Sequence, residues 1–266
     1  MVIKMNPYIE YGKKAFAKNL VYRSDYIIGV FNTVIMVFIQ VAIWRAIYGS
    51  NTQINGVPFS YVATSFVLSI CFAAALTAND FVLADKVLYG SITTELLKPI
   101  SINLCIMADT IGNNLFKLIM QFAPAVIISG LFLGLLPPAS VLMLLLCVFS
   151  LIFGFLIVYY ISYIIQACSF WFTNVWSLSV IKNSVISILS GTLIPLWFLP
   201  DWLAAAIKWT PFDVIYFAPI QIYLGQMNTQ EIIFTFAKQI VWVLLFAVLG
   251  MFIYKKGIKK LCIAGG

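Results

Sequence analysis

Apolar residues run through this chain in long blocks, and polar residues gather between the blocks rather than alternating within them. Five stretches are each long enough to cross a bilayer, and a sixth is long enough but dotted with polar side chains. The six are Tyr26–Tyr48, Val57–Ala78, Ile106–Leu136, Ala139–Ile165, Val175–Phe198 and Ile232–Tyr254. A hydrocarbon core of roughly 30 Å takes about 20 mostly apolar helical residues per crossing. Barrel strands would alternate over about ten residues, whereas these runs are apolar all round. The pattern predicts an all-α membrane protein with six transmembrane helices.

Three segments outside the runs carry structure of their own. Residues 6–23 read as an amphipathic helix, which Pro7 suits as a start. Tyr8, Tyr11, Ala15, Phe16, Leu20 and Tyr22 fall mostly on one side, and Lys13, Lys14 and Lys18 on the other. Such a helix lies on the inner membrane surface with its lysines towards anionic lipid, or offers a face to a cytoplasmic partner. The connections Asn79–Cys105 and Leu199–Gln230 exceed the usual loop length. Within the first, residues 91–98 read as a short helix that Ser91 can cap, with Thr94 or Glu95 in its first turn, and that Pro99 stops. It is either a lever to another protein or an ordinary surface turn. The second holds Pro200, Pro211, Pro219, Trp202 and Trp209, with Pro195 and Trp197 just before it. It is too apolar for a solvated loop and too broken by proline for a full span. It reads as short helices that re-enter the outer leaflet, buried in protein or lining a wet cavity.

Charge sets the orientation. Lys4, Lys13, Lys14, Lys18 and Arg23 precede the first run; Lys86 and Lys98 follow the second; Lys182 marks the fourth connection; Lys255, Lys256, Lys259 and Lys260 follow the sixth. The connections 49–56 and 136–139 carry no charge. Lysine and arginine mark cytoplasmic loops, so both termini are expected inside, which requires an even number of crossings. Arg45, beside Trp44 and Tyr48, is expected to snorkel to the outer interface; Lys208 is the other exception.

Composition agrees. The chain is 63% hydrophobic and 9% charged, with mean hydropathy +1.03, where soluble domains carry about 25% charge. No separate soluble domain is expected, and the net charge of +7, spread along membrane edges, is no nucleic-acid footprint. No cleavable signal peptide is expected, because the first apolar run starts late. Cys71, Cys105, Cys147, Cys168 and Cys262 fall in helices or on the inner side, so no disulfide framework is expected.

The chemistry is quiet. There is no histidine, which removes His-ligated zinc sites and Ser-His or Cys-His pairs. There is no phosphate loop of the G-x-x-x-x-G-K-[ST] form. Asp109, Asn113, Lys117 and Gln121 recur every four residues in the third run; they touch water below the bilayer or face an inner vestibule. Asn183, Ser184, Ser187, Ser190 and Gly191 form a small polar face on the fifth, and Thr64, Ser65, Ser69 and Ala73 a similar stripe on the second. Either stripe packs helices or subunits together or lines a path. No acidic residue clearly sits at the bilayer midplane, which speaks against an ion-driven carrier.

Four features in order resemble the membrane permease subunit of bacterial ABC exporters of the type-2 class. They are the amphipathic helix before the first span; Trp44-Arg45-Ala46-Ile47-Tyr48 at its end; the segment from Gly90 through Ser91, Thr94, Glu95, Leu96, Lys98 and Pro99 to Ile100; and Ser190-Gly191 with Ile194 to Trp202 and Trp209 to Phe212. The resemblance spans residues 1–266 as one domain and implies a part for each segment. Two permeases, identical or different, form the path in the bacterial cytoplasmic membrane. A separate ATPase dimer binds beneath, holding the ATP and Mg, and this chain holds no cofactor. Residues 91–98 are the coupling helix, 6–23 the connecting helix, and 199–224 the re-entrant helices that seal the exit. Helices two and five lie near the path, so Thr64, Ser65, Ser69, Asn183, Ser187 and Ser190 line it or the subunit interface, and Asp109, Asn113 and Lys117 an inner vestibule. The rival readings are a lipid-modifying membrane enzyme, using Asp109 with Lys117 or Asp201 with Asp213, and a membrane scaffold or immunity protein.

Overall fold

The computed structural model describes residues 6–21 and 23–260, and of Arg23 the backbone alone. Lys4, Tyr22 and Cys262 lie outside the described residues. The described chain is built from helices in the order α1 Pro7–Val21, α2 Arg23–Tyr48, α3 Phe59–Ala75, α4 Val82–Leu88, α5 Ile92–Leu96, α6 Ile102–Lys117, α7 Ala123–Leu133, α8 Val141–Ala167, α9 Trp176–Leu189, α10 Asp201–Ile207, α11 Phe217–Tyr223 and α12 Thr229–Ile258.

Four helical runs are long and apolar enough to cross a membrane: Ser24–Tyr48, Ile102–Leu133, Val141–Phe170 and Thr229–Ile258. The other two apolar stretches form shorter helices, α3 and α9, than their sequences suggest. Pro58 caps α3 in an extended conformation, and Leu76 leaves the helix at its far end. Helix α9 ends at Ser190, where Gly191 takes φ +80° and turns the chain. The third run starts at Ile102, earlier than the apolar pattern, because Ser101 caps it by accepting from Leu104 N. It passes through a π turn at Leu118–Phe122. Pro124 lies just beyond; it has no N–H to donate and crowds the turn before it, and the widened turn relieves that conflict.

One feature departs from an all-α fold. Strands β1 Gln53–Ile54 and β2 Val57–Pro58 pair antiparallel. Asn55 and Gly56 both take positive φ, 50° and 75°, as a two-residue type I′ hairpin requires. Tyr48 tethers the hairpin by donating its hydroxyl to Val57 O at 2.9 Å.

Helix α8 is the axis of the interior. Its Leu151, Ile157 and Val158 pack with Leu68 of α3, Ile232 of α12, and Ile215, Ile220 and Ile222 of the segment around α11. Gly154 permits this closeness: a methyl there would sit 2.5 Å from the Ile215 carbonyl oxygen. A second cluster joins α2, α3 and α7 through Val37, Val41, Trp44, Phe66, Val67 and Ala125. On the outside, Ile28, Phe31, Leu131, Leu142, Ile233 and Leu244 are exposed, the surface that lipid covers in a chain of this composition.

The elements sort into two ends. At one, α1 lies along α6, Ser101 N donates to Tyr8 Oη at 3.2 Å, and the last turns of α12 meet Phe170 through Gly257. Helices α4 and α5 share that end. At the other, the hairpin and the proline-rich return meet, with Trp44 and Phe198 rings 4.6 Å apart.

Helix α1 reaches α6 only because two glycines face each other, so that a side chain on Gly112 would overlap the Gly12 carbonyl. Gly112→Val is expected to cost about 1–3 kcal/mol through overpacking and to release α1. Limited proteolysis should then cut within Pro7–Val21 faster than in the parent; unchanged cutting would refute the docking.

Candidate functional site

The best-defined polar site is an elbow, residues 76–100, at the end shared by α1 and the C-terminal turns of α12. It begins where α3 stops. The chain there exposes backbone groups that neighbouring helices satisfy. Asn114 Nδ2 donates to Thr77 O at 2.9 Å, and Lys117 Nζ to Thr77 Oγ1 at 2.6 Å. Tyr216 Oη donates to Leu76 O at 3.5 Å.

Three residues further on lies a buried ion pair. Asp80 is 4% exposed and Lys182, from α9, 8%. Lys182 Nζ donates to both Asp80 oxygens at 2.7 Å and to Ser162 Oγ of α8 at 2.8 Å. The Ser179 hydroxyl donates to Asp80 as well. Opposite charges need such a full shell to stand being taken out of water. The cluster joins the elbow, α8 and α9 at one point. Next to it, Leu83 N donates to Gln166 Oε1 of α8 at 3.0 Å, holding α4 where its first N–H groups lack helical partners.

From α4 the chain turns at Gly90, φ +72°, a backbone setting that favours glycine, into α5. Ser91 occupies the capping position, but its backbone is helical and its side chain makes no capping bond, so the expected hydroxyl cap is corrected. Instead Ser91 O accepts from the Thr94 hydroxyl at 2.8 Å, and Gly90 O from Thr93 Oγ1 at 2.9 Å. The helix spans Ile92–Leu96, shorter than 91–98, and Pro99 follows. Ile92 is fully buried against Leu83, Ile102, Ile106, Tyr159 and Tyr163. Glu95 accepts from Lys86 Nζ at 2.9 Å and Lys98 Nζ at 3.0 Å. Both bonds hold its carboxyl below the usual glutamate range, Lys86 first. The tip stays apolar and open: Tyr89 is 79% and Leu97 86% exposed, and Leu88 and Leu96 are exposed too.

The other residues singled out from sequence fall in separate places. Asp109, Asn113 and Lys117 are half-buried and tied to neighbouring elements. Asn19 of α1 donates to Asn113 Oδ1 at 2.7 Å, and Asn113 Nδ2 to Asp109 Oδ2 at 2.9 Å. Gln121 Nε2 donates to Thr33 Oγ1 of α2 at 3.0 Å. The stripe thus faces α1, the end of α3 and α2 in turn. Thr64, Ser65 and Ser69 are buried inside the chain's own fold, and Thr64 Oγ1 accepts from Leu136 N at 3.2 Å. On α9, Asn183 and Ser184 are exposed and Ser187 half-buried; Ser190 is buried, sharing a 3.0 Å hydroxyl bond with Thr192. Asp109 and Lys117 form no ion pair, and Asp213 pairs with Lys238 at 2.6 Å rather than with Asp201.

The Asp80–Lys182 pair escapes a reading that takes Lys182 only as an orientation marker. The available signal is a lysine seven residues inside an apolar stretch, which calls for a counter-charge.

A family model described as "ABC-2 family transporter protein" matches residues 34–265. No curated protein and no solved structure matches the chain.

Lys182→Met alone strands a buried carboxylate, and the expected loss is about 3–5 kcal/mol, read as a lower Tm of the purified protein. Asp80→Leu with Lys182→Met removes both charges and should recover most of it; equal losses in single and double variants would contradict the pairing. Acid should also loosen α5. Because the folded Glu95 pKa is depressed, its contribution is complete above the ordinary carboxylate range and is lost as pH falls through the lower folded value. Amide exchange across residues 92–98 should accelerate only below that range, and Glu95→Gln should show the fast exchange at neutral pH.

Proposed function

The chain belongs to the ABC-2 transporter family, and on that premise we propose that it is the permease subunit of an ATP-driven exporter in a bacterial cytoplasmic membrane. Two such subunits, identical or homologous, would enclose the path. A dimer of a separate cytoplasmic ATPase would bind beneath and carry the ATP and Mg.

In this reading the four long helices and the shorter α3 and α9 make six crossings. At 1.5 Å per residue α3 spans about 26 Å and α9 about 21 Å, and the turns at 191–198 carry α9's end of the chain across the remainder. Six crossings put both termini on one side, in keeping with α1, α5 and the end of α12 sharing one end of the bundle. That end also holds Lys13, Lys14, Lys18, Lys86, Lys98, Lys255 and Lys256, and lysine excess favours the cytoplasmic side.

The observation that carries the reading beyond family membership is the elbow's shape. A braced helix, plugged by Ile92 and clamped by Glu95, presents Leu96 and Leu97 to what would be water. An apolar knob of this kind fits a cleft in a partner. It would be the coupling helix, with Ser91, Thr94, Glu95, Leu96, Lys98 and Pro99 at or behind the contact and α1 as its connecting brace. Closure of the ATPase would push α5; α4 would pass the push to Asp80–Lys182, and so to α9. The exposed Asn183 and Ser184, with Ser187 at their edge, are poor neighbours for lipid and would face the second permease or the path. Thr64, Ser65 and Ser69 would act within the protomer, as packing behind that path. Asp109, Asn113 and Lys117 would hold the inner ends of α1, α3 and α6 together at the vestibule.

Purification of the native complex, with mass spectrometry of its subunits, should recover an ATPase chain; purification without one would sink the proposal. Leu97→Asp and Glu95→Ala are expected to leave the protein in the membrane and to weaken retention of the ATPase roughly tenfold or more, as losing one interface anchor does. Parent-level retention in both variants would dismiss α5 as the coupling element.

A further inference from the structure

At the opposite end from the elbow, a cavity of about 760 Å³ lies between the proline-rich return and α12. Its size is that of a small-molecule site. Its walls are largely apolar, with Leu196, Trp197, Ile207, Phe217, Met227 and Phe234 among them. Successive turns of α12 present Glu231, Thr235 and Lys238 to it, and α11 presents Gln221.

The polar groups in this vault are unevenly satisfied. Lys238 Nζ is held within the protein, donating to Asp213 Oδ1 at 2.6 Å and to Lys208 O at 2.5 Å. Glu231 completes the capping box of α12, accepting from Asn228 N. With Lys208 the lining carries two cations and two carboxylates, so it offers no net charge. Gln221 is different: it is 4% exposed, and its Nε2 has no hydrogen-bond partner. The Thr235 hydroxyl meets only the Met227 sulfur, at 3.9 Å, a weak acceptor. Two buried donors therefore lack an acceptor oxygen beside an apolar hollow. A buried amide left in this state costs stability, which a ligand oxygen would relieve.

We propose that this vault binds a neutral or zwitterionic amphiphile. An ester, amide or hydroxyl oxygen of the ligand accepts from Gln221 Nε2 and the Thr235 hydroxyl, and its apolar chain lies against Leu196, Phe217 and Phe234. The site is far from the α5 elbow and does not rest on the coupling scheme.

The test uses the full-length protein in detergent and a lysophosphatidylcholine with a photoactivatable acyl chain, with the labelled peptides mapped by mass spectrometry. Saturable labelling within residues 196–207, 217–221 and 227–238 is expected. Gln221→Leu should raise the half-saturating concentration about tenfold, the size of one lost hydrogen bond, while keeping Tm at or above the parent's because it removes an unsatisfied amide. Ala204→Trp, which narrows the vault from α10, should abolish the saturable part. Labelling that never saturates, or that spreads equally along α2 in parent and Ala204→Trp, overturns the proposal. So does displacement by chain-free glycerophosphocholine, which would make the ligand a polar solute. Tighter labelling by the anionic lysophosphatidylglycerol would overturn the charge assignment.

Discussion

A bilayer offers no water to a backbone that leaves its helix, and this constraint shapes every irregular segment of the fold. Several places where a helix stops near the interior are matched by a side chain that takes up the freed group. Thr77 O is met by Asn114, and Leu83 N by Gln166. Leu136 has both groups covered, its N–H by Thr64 and its carbonyl by Tyr223 at 2.9 Å. The return after Pro211 is met by Gln239 of α12, whose Nε2 donates to Val214 O at 2.8 Å and to Ser150 of α8. The scattered amides and hydroxyls of the apolar runs are thus largely the seals of the breaks in neighbouring helices. A chain with few polar residues spends many of them on this task.

The same economy explains why mechanical connection passes through so few points. Helix α9 packs loosely against the rest of the fold, and its firm tie to the elbow is the Asp80–Lys182 cluster with Ser162 and Ser179. A strongly distance-dependent interaction between otherwise weakly joined elements makes a two-position joint: intact, it fixes α9 to the base of α4; broken, it leaves two buried charges. It lies at the base of α4, the helix that leads through the Gly90 turn to α5.

Class and general layout were legible in the sequence, because long apolar runs, edge lysines and proline-broken connections are local signals. The apolar run of α12, the amphipathic α1 and a short helix near Ile92–Leu96 follow from spacing alone. Other features were not legible, for two reasons. Counting apolar residues cannot separate helix from flanking extended chain, so Val57–Ala78 and Val175–Phe198 overstate α3 and α9; Asn55-Gly56, a hairpin signal, is the mark that Val57 and Pro58 belong to a strand. Partners distant along the chain leave no local trace, and 102 residues separate Asp80 from Lys182. Likewise the polar stripe on α6 is regular in sequence, but the π turn and three different neighbours divide it. Nothing in the residues around Thr64 tells whether a small polar stripe faces a path or, as here, the chain's own interior.

The buried pair also bears on how the protein is made. Helix α9 is short and carries a lysine, and a charged lysine near the centre of a lone helix opposes insertion by about 2.5–3.5 kcal/mol. Asp80 emerges from the ribosome well before Lys182, and so does Ser162 on α8. The carboxylate and the hydroxyl that receive Lys182 are therefore synthesised before it. The order of synthesis thus supplies the counter-charge before the lysine that needs it.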